Sequence, residues 1–265
     1  MDNKVTKERL NNHLEYDWFK YVIIIIVAVA LFVFVFKQIN SDRENETLQI
    51  YASCYEYRGG DFAERARVVI NADNEQAENG KTTIRSVGIE AQNPQSEEYG
   101  TLLQTHGDVT SDLLIVGKSY MKNYQYSMLT WDEEVIDACT PYKYDENGQK
   151  VPAMELTFWE AELNGVSYKR GVRVDNLPNI DLLFGFDPGE IPEDSILNES
   201  YENLPEDDKI QYESEQAKYD TEFYLVINPS LVNIGDKGRK GEASDTQTFQ
   251  LVSKLLWYAQ SGVLA

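Results

Sequence analysis

Two short clusters of residues in this chain carry the side chains that ligand binding requires. Tyr55, Tyr57 and Arg58 lie together early in the chain, and Ser119 and Tyr120 lie together much later. Tyrosine rings bind organic molecules through their faces and hydroxyls, and an arginine pairs with a carboxylate. We therefore expect the two clusters to line a cleft that binds a small molecule or peptide non-covalently. The alternative for any one of these residues is packing in the core or ordinary solvation at the surface.

The residue types that catalysis needs are scarce. The chain has two histidines, His13 and His106, and they do not form a cluster with metal-ligand spacing. No serine or cysteine can be paired with a base from its spacing, and no glycine-rich phosphate loop is present. We therefore predict that the protein is not an enzyme and has no catalytic residue, metal site or cofactor. We expect His106 to be a capping or surface residue.

Cys54 and Cys139 are the only cysteines. In an oxidising compartment an even pair can form a disulfide, and the alternative is two isolated buried thiols. The alternation of a strand puts Leu48, Ile50, Ala52 and Cys54 on one face and the intervening tyrosines, including Tyr55, on the other. Cys54 is therefore predicted to face the core, with no role as a lipid attachment site.

The charge balance excludes one class of partner. The 265 residues include 24 Lys and Arg against 45 Asp and Glu, a net charge of −21. Nucleic-acid binding depends on basic contacts to phosphates, so we expect no nucleic-acid partner.

An apolar run predicts a membrane anchor. Residues 21–36 are uncharged and lie between Lys20 and Lys37. As a helix they span about 24 Å, and Trp18 and Phe19 with the two lysines extend this to the thickness of a hydrocarbon core. We predict a single transmembrane helix that binds the lipid bilayer through residues 21–36.

A cleaved signal peptide is the alternative to an anchor. The small residues of 28–30 would suit a cleavage site, but the apolar run continues past them to Phe36. More basic residues precede the run than closely follow it. This bias predicts a cell-membrane protein with residues 1–20 in the cytoplasm, a polar linker at 37–46 and an extracytoplasmic domain at 47–265.

The first half of that domain has a regular alternation. Strand patterns occupy 47–57, 82–91 and 111–121, and helical patterns begin near Asp61 and Ser96. Such alternation predicts a parallel sheet with helices on its faces, and ligands of open sheets collect beyond the carboxyl ends of the strands. Both candidate clusters lie at the carboxyl ends of such strands.

The pattern changes after residue 121. Residues 153–174 read as two strands joined at a turn of residues 164–165, the strongest hairpin signal in the chain. Residues 186–220 are acidic and predict a surface excursion that is helical in places. A further apolar strand at 222–235 precedes a terminal helix beginning at Ser244, which we expect to pack back onto the first sheet.

The anchor, then "LQIYASC" (48–54), "SDLLIVGKSYM" (111–121) and "EFYLVINPSLVNIG" (222–235) with a terminal helix, resembles bacterial extracytoplasmic substrate-binding proteins of ABC transporters. The likeness is closest to their small membrane-anchored relatives. It implies an α/β, three-layer domain in which residues 122–220 form only a reduced, hairpin-containing second lobe. It also implies a small-molecule or peptide ligand and a membrane permease or envelope protein as partner. The alternative function is a structural protein that does not take part in transport and docks onto another membrane or cell-envelope protein.

Overall fold

A computed structural model of the chain describes residues 18–20, 22–32, 47–76, 84–229 and 243–264. The chain divides into two compact units, residues 1–43 and residues 44–265. In the first unit, residues 18–20 and 22–32 are helical. The predicted anchor extends at both ends onto positions outside the described residues, as does the predicted linker. No helix within the described residues is long and apolar enough to cross a membrane.

The second unit is a mixed α/β domain built on a six-stranded sheet of order β3-β1-β4-β10-β8-β7. The strands are β1 Thr47–Ser53, β2 Glu56–Tyr57, β3 Ser86–Gln92, β4 Leu113–Gly117, β5 Tyr142–Tyr144, β6 Lys150–Pro152, β7 Phe158–Leu163, β8 Val166–Arg173, β9 Phe184–Gly185 and β10 Phe223–Ile227. Strand β1 pairs in parallel with both β3 and β4, which confirms the parallel sheet predicted from the first half of the domain.

The other half of the sheet is antiparallel. Strand β10 pairs antiparallel with β4 on one side and with β8 on the other, and β8 pairs antiparallel with β7. Every residue of β4 and β10 is buried. This agrees with their continuous apolar sequences, which are typical of strands covered on both faces. The last apolar strand of the chain therefore lies between the parallel half of the sheet and the hairpin.

Four helices of seven or more residues lie in the described part of this unit: α1 Phe62–Gln76, α2 Glu133–Cys139, α3 Glu206–Ala217 and α4 Ala243–Ser261. Helices α1, α2 and α4 cover one face of the sheet, where the buried stripe of α4 joins the main core, as predicted. Short helical segments cover the other face over a second core rich in tyrosine. The sheet thus lies between two helical layers.

The hairpin forms at the predicted turn but not in a separate lobe. Asn164 and Gly165 adopt φ values of 53° and 77°, the left-handed conformations that a tight two-residue turn between β7 and β8 requires. Strand β8 then pairs with β10 in the main sheet, and residues 44–265 form one compact unit. The expected hairpin-containing second lobe is therefore not confirmed, because main-chain pairing draws the hairpin into the first sheet.

The acidic segment 186–220 forms short 3₁₀ turns and then helix α3, which agrees with an excursion that is helical in places. Helix α3 begins with three acidic residues, a favourable arrangement at the positive end of the helix dipole. One face of helix α3 lines the candidate site.

Candidate functional site

The carboxyl end of β4 is tied to the end of the acidic segment through one aspartate. The Ser119 main-chain N–H donates to Oδ2 of Asp220 over 3.0 Å, and the Ser119 hydroxyl donates to Oδ1 over 2.8 Å. Asp220 is only 8% exposed. These two bonds join the turn after β4 to the residues that connect α3 with β10.

Burial raises the pKa of the Asp220 carboxyl to about 6, while the two Ser119 bonds and the Lys118 ammonium act in the opposite direction. The carboxylate also packs closely against Gly117, where an added Cβ would lie 2.2 Å from Oδ2. Glycine at the end of β4 therefore makes room for a buried acid beside the strand.

Tyr55 makes hydrogen bonds to the same junction. Its hydroxyl donates to the main-chain carbonyls of Lys218 and Asp220, at 2.9 and 3.0 Å. Its ring packs edge-on against Phe223 at the start of β10. Burial, together with the nearby Asp220 charge, raises the pKa of this phenol, so Tyr55 remains a hydrogen-bond donor at neutral pH.

A cleft of about 950 Å³ opens between the turn after β4 and helix α3, and we call it the α3 cleft. One wall is the segment that follows β4, and the other is the face of α3 with the residues that flank it. Its lining residues are Lys118, Ser119, Tyr120, Lys122, Asn123, Tyr201, Ile210, Tyr212, Glu213, Ser214, Gln216, Ala217, Tyr219, Asp220, Thr221 and Glu222.

Charged and aromatic side chains of the cleft are held by partners. The Lys118 ammonium lies 2.9 Å from the Glu222 carboxylate, which also lies 3.4 Å from the Arg173 guanidinium. On the α3 side, the Tyr201 hydroxyl donates to Glu213 over 2.7 Å, and the Tyr201 ring packs edge-on against Tyr212. The cleft therefore offers aromatic edges, hydroxyls and carboxylates, a set that suits non-covalent binding of a polar organic ligand.

The five residues predicted from the sequence separate in the structure. Ser119 and Tyr120 line the α3 cleft, and Tyr55 lies beneath it. Tyr57 and Arg58 lie elsewhere, because Glu56–Tyr57 forms strand β2 and pairs with β9. The Arg58 guanidinium bonds the carboxylate of Glu56 instead of facing the cleft. Of the five residues, Ser119 and Tyr120 line the α3 cleft, whereas Tyr55, Tyr57 and Arg58 do not.

The face assignment of the tyrosines also needs correction at Tyr55. Strand β1 ends at Ser53, and the main-chain N–H of Tyr55 donates to Gly185 rather than continuing the sheet. Tyr55 consequently packs against the main core, while Tyr51 occupies the opposite, tyrosine-rich core. The period of two holds only as far as the strand itself.

Sequence reasoning missed the α3 wall of the cleft. Tyr201, Ile210, Tyr212 and Glu213 all lie in the acidic segment, for which the sequence pattern predicts a surface excursion and no part in a binding site. The available signal was the presence of Tyr201, Ile210 and Tyr212 within an otherwise acidic run. Asp220 was also missed, since nothing local distinguishes it from the exposed acids that precede it.

Cys54 and Cys139 are both buried and both carry free thiols, so the disulfide considered from the sequence does not link them. Cys54 faces the main core, as predicted. His106 is an exposed residue whose Nδ1 lies 2.8 Å from Glu90. Across the described ranges, no group of three or more histidine, cysteine, aspartate or glutamate side chains is arranged to hold a metal ion.

Comparison with known proteins adds no relative to this description. No protein-family model, curated protein or solved structure matches the chain.

Proposed function

We propose that this chain is a membrane-anchored, extracytoplasmic solute-binding-like protein that binds a small molecule or peptide non-covalently in the α3 cleft. The observation that carries the proposal is the cleft itself, about 950 Å³ in volume, at the carboxyl end of the central strand β4. Ligands of open α/β sheets collect beyond strand ends of this kind, and the volume suits an organic ligand.

The lining supports binding rather than reaction. Ser119 and Asp220 satisfy each other, and Lys118 is paired with Glu222. These groups are held in place and can present hydroxyl, amide and ring surfaces to a ligand. The proposal therefore assigns no catalysis to the cleft.

The membrane part of the proposal rests on the sequence. Residues 21–36 would anchor the chain, residues 1–20 would lie in the cytoplasm, and the second unit would lie outside the membrane. The resemblance to substrate-binding proteins, and a permease or envelope protein as partner, belong to the same proposal.

Thermal unfolding of the full-length protein in mild detergent tests the binding function. The melting temperature is measured with a panel of metabolites and short peptides, and any ligand that raises it is tested again on Ser214→Trp. Ser214 is an exposed residue of α3 that lines the cleft, so the indole would fill the space that the ligand needs. We expect the ligand-induced stabilisation to be lost in Ser214→Trp.

The matched control is Ser127→Trp, because Ser127 is exposed but does not line the cleft. This variant should keep the full ligand response. A panel without any stabilising compound, together with recovery of a membrane or envelope protein by the full-length chain, would refute ligand binding and support the docking alternative.

A further inference from the structure

A second, smaller cleft adjoins the first along the surface of helix α3. It has a volume of about 450 Å³ and is lined by Asp207, Ile210, Gln211, Ser214, Glu215 and Lys218. Ile210 and Ser214 line both clefts. The two clefts are therefore continuous across the exposed surface of α3, and a ligand that fills both must be elongated.

Ile210 forms the crest between the two clefts. Its side chain is 71% exposed, although it is a large apolar residue in a strongly acidic helix. Covering such a side chain stabilises a complex, because apolar surface is removed from water. The position of Ile210 therefore favours an occupant with an apolar group at its centre.

The charges on either side of Ile210 favour a basic occupant. The two clefts together are lined by five carboxylates and three lysines. Two of the lysines are already neutralised, Lys118 by Glu222 and Lys218 by Glu215. Asp207 on one side of Ile210 and Glu213 on the other form no ion pair with any described residue. Among the lysines of the lining, Lys122 likewise forms no ion pair with a described residue.

We infer that the ligand of this groove is an extended basic peptide that crosses helix α3, with an apolar side chain on Ile210 and basic side chains directed towards Asp207 and Glu213. This inference rests on the proposed function and specifies its ligand class. An extended chain advances about 3.3 Å per residue, so a few residues span a helix surface. The net charge of −21 also attracts a basic peptide and repels an acidic one.

Fluorescence polarisation with the full-length protein in detergent tests the inference. The probe is the fluorescein-labelled pentapeptide Lys-Ser-Leu-Ser-Lys, whose two lysines and leucine share one face of an extended chain. The salt concentration is about 150 mM, where long-range attraction between exposed charges is screened. We expect Ile210→Ser and Glu213→Lys each to weaken binding about tenfold, the first through lost apolar contact and the second through charge repulsion.

Two control variants make the same changes elsewhere on the surface. Ile191→Ser alters another exposed isoleucine, and Glu146→Lys reverses another exposed acid in the turn between β5 and β6. Both should leave the affinity unchanged. If Glu146→Lys weakens binding as much as Glu213→Lys, the peptide is held by general charge attraction and the inference is wrong.

The outcomes also separate this inference from the proposed function. Stabilisation by an acidic peptide or an uncharged small molecule that Ser214→Trp abolishes, without binding of the basic pentapeptide, would overturn the inference and leave the proposed function standing. Absence of any ligand for the α3 cleft would overturn both. Binding of the pentapeptide that depends on Ile210 and Glu213 but not on the control positions would support both.

Discussion

Replacing Asp220 with asparagine should remove a specific part of the pH dependence of stability. The ordinary pKa of 3.8 applies to this carboxyl in the unfolded chain, and burial raises the pKa to about 6 in the folded domain. Between pH 3.8 and about pH 6, the folded domain keeps a proton on Asp220 that the unfolded chain has already released. Stability from this group is therefore fully present below about pH 4 and is lost as the pH rises through 6.

The size of the effect follows from the same two values. A rise in pKa from 3.8 to about 6 corresponds to about 3 kcal/mol of unfolding free energy. Asparagine is close to aspartate in shape and can still accept from the Ser119 main-chain N–H. The amide group can donate to the Ser119 hydroxyl, so both bonds of the junction are retained in the neutral variant.

We therefore expect the stability of Asp220→Asn, relative to the wild-type protein, to rise by about 3 kcal/mol between pH 3 and pH 7. The measurement is urea unfolding of the full-length protein at several pH values, followed by the fluorescence of buried Trp131. At each pH the unfolding free energy of the wild type is subtracted from that of the variant, which removes the contributions of the other titrating groups.

Asp194→Asn serves as the control, since Asp194 is an exposed acid of the same segment. Its difference from the wild type should not change with pH. A difference for Asp220→Asn that is equally flat would refute the reasoning, because it would mean that the buried carboxyl is not destabilised as an anion.

Three further predictions concern the same region and the core. Gly117→Ala should destabilise the domain by about 1–3 kcal/mol in urea unfolding, because the new Cβ would overlap the Asp220 side chain. Tyr55→Phe should cost about 1 kcal/mol in the same assay, because two main-chain carbonyls lose their hydroxyl donor; an unchanged midpoint would contradict the role given to Tyr55. Burial raises the pKa of the Cys54 thiol to about 12 and also raises that of Cys139, so neither thiol should react with a thiol reagent at pH 8 until urea unfolds the protein. A mass measurement without reductant should then find two free thiols, and a mass lower by two hydrogens would show a disulfide.

Much of the parallel half of the sheet could be predicted from local patterns. The apolar runs of β1 and β4 and the helical spacing of α1 identify elements whose type depends mainly on which faces are buried. The turn at Asn164–Gly165 was equally clear, because few residue pairs adopt two successive positive φ values readily.

Only part of the candidate site could be predicted from the sequence. Ser119 and Tyr120 follow a strand whose end could be read from the chain, and both line the α3 cleft. Tyr57 and Arg58 follow a strand just as closely, but pairing of β2 with β9 removes them from the cleft. That pairing joins segments far apart in sequence, and no local period contains information about it.

The sequence by itself determined the elements and their buried faces: the alternation of strands and helices, the core position of Cys54, the hairpin turn and the acidic character of segment 186–220. Only the tertiary structure decided where β10 inserts, that the hairpin joins the main sheet, and that helix α3 lies opposite the end of β4. It also decided that Asp220, one acid among many in its segment, is buried against Gly117. The physical reason is that the local spacing of apolar residues indicates which face of a helix or strand is buried. The choice of partner strand and the burial of a single charge depend instead on contacts between distant parts of the chain.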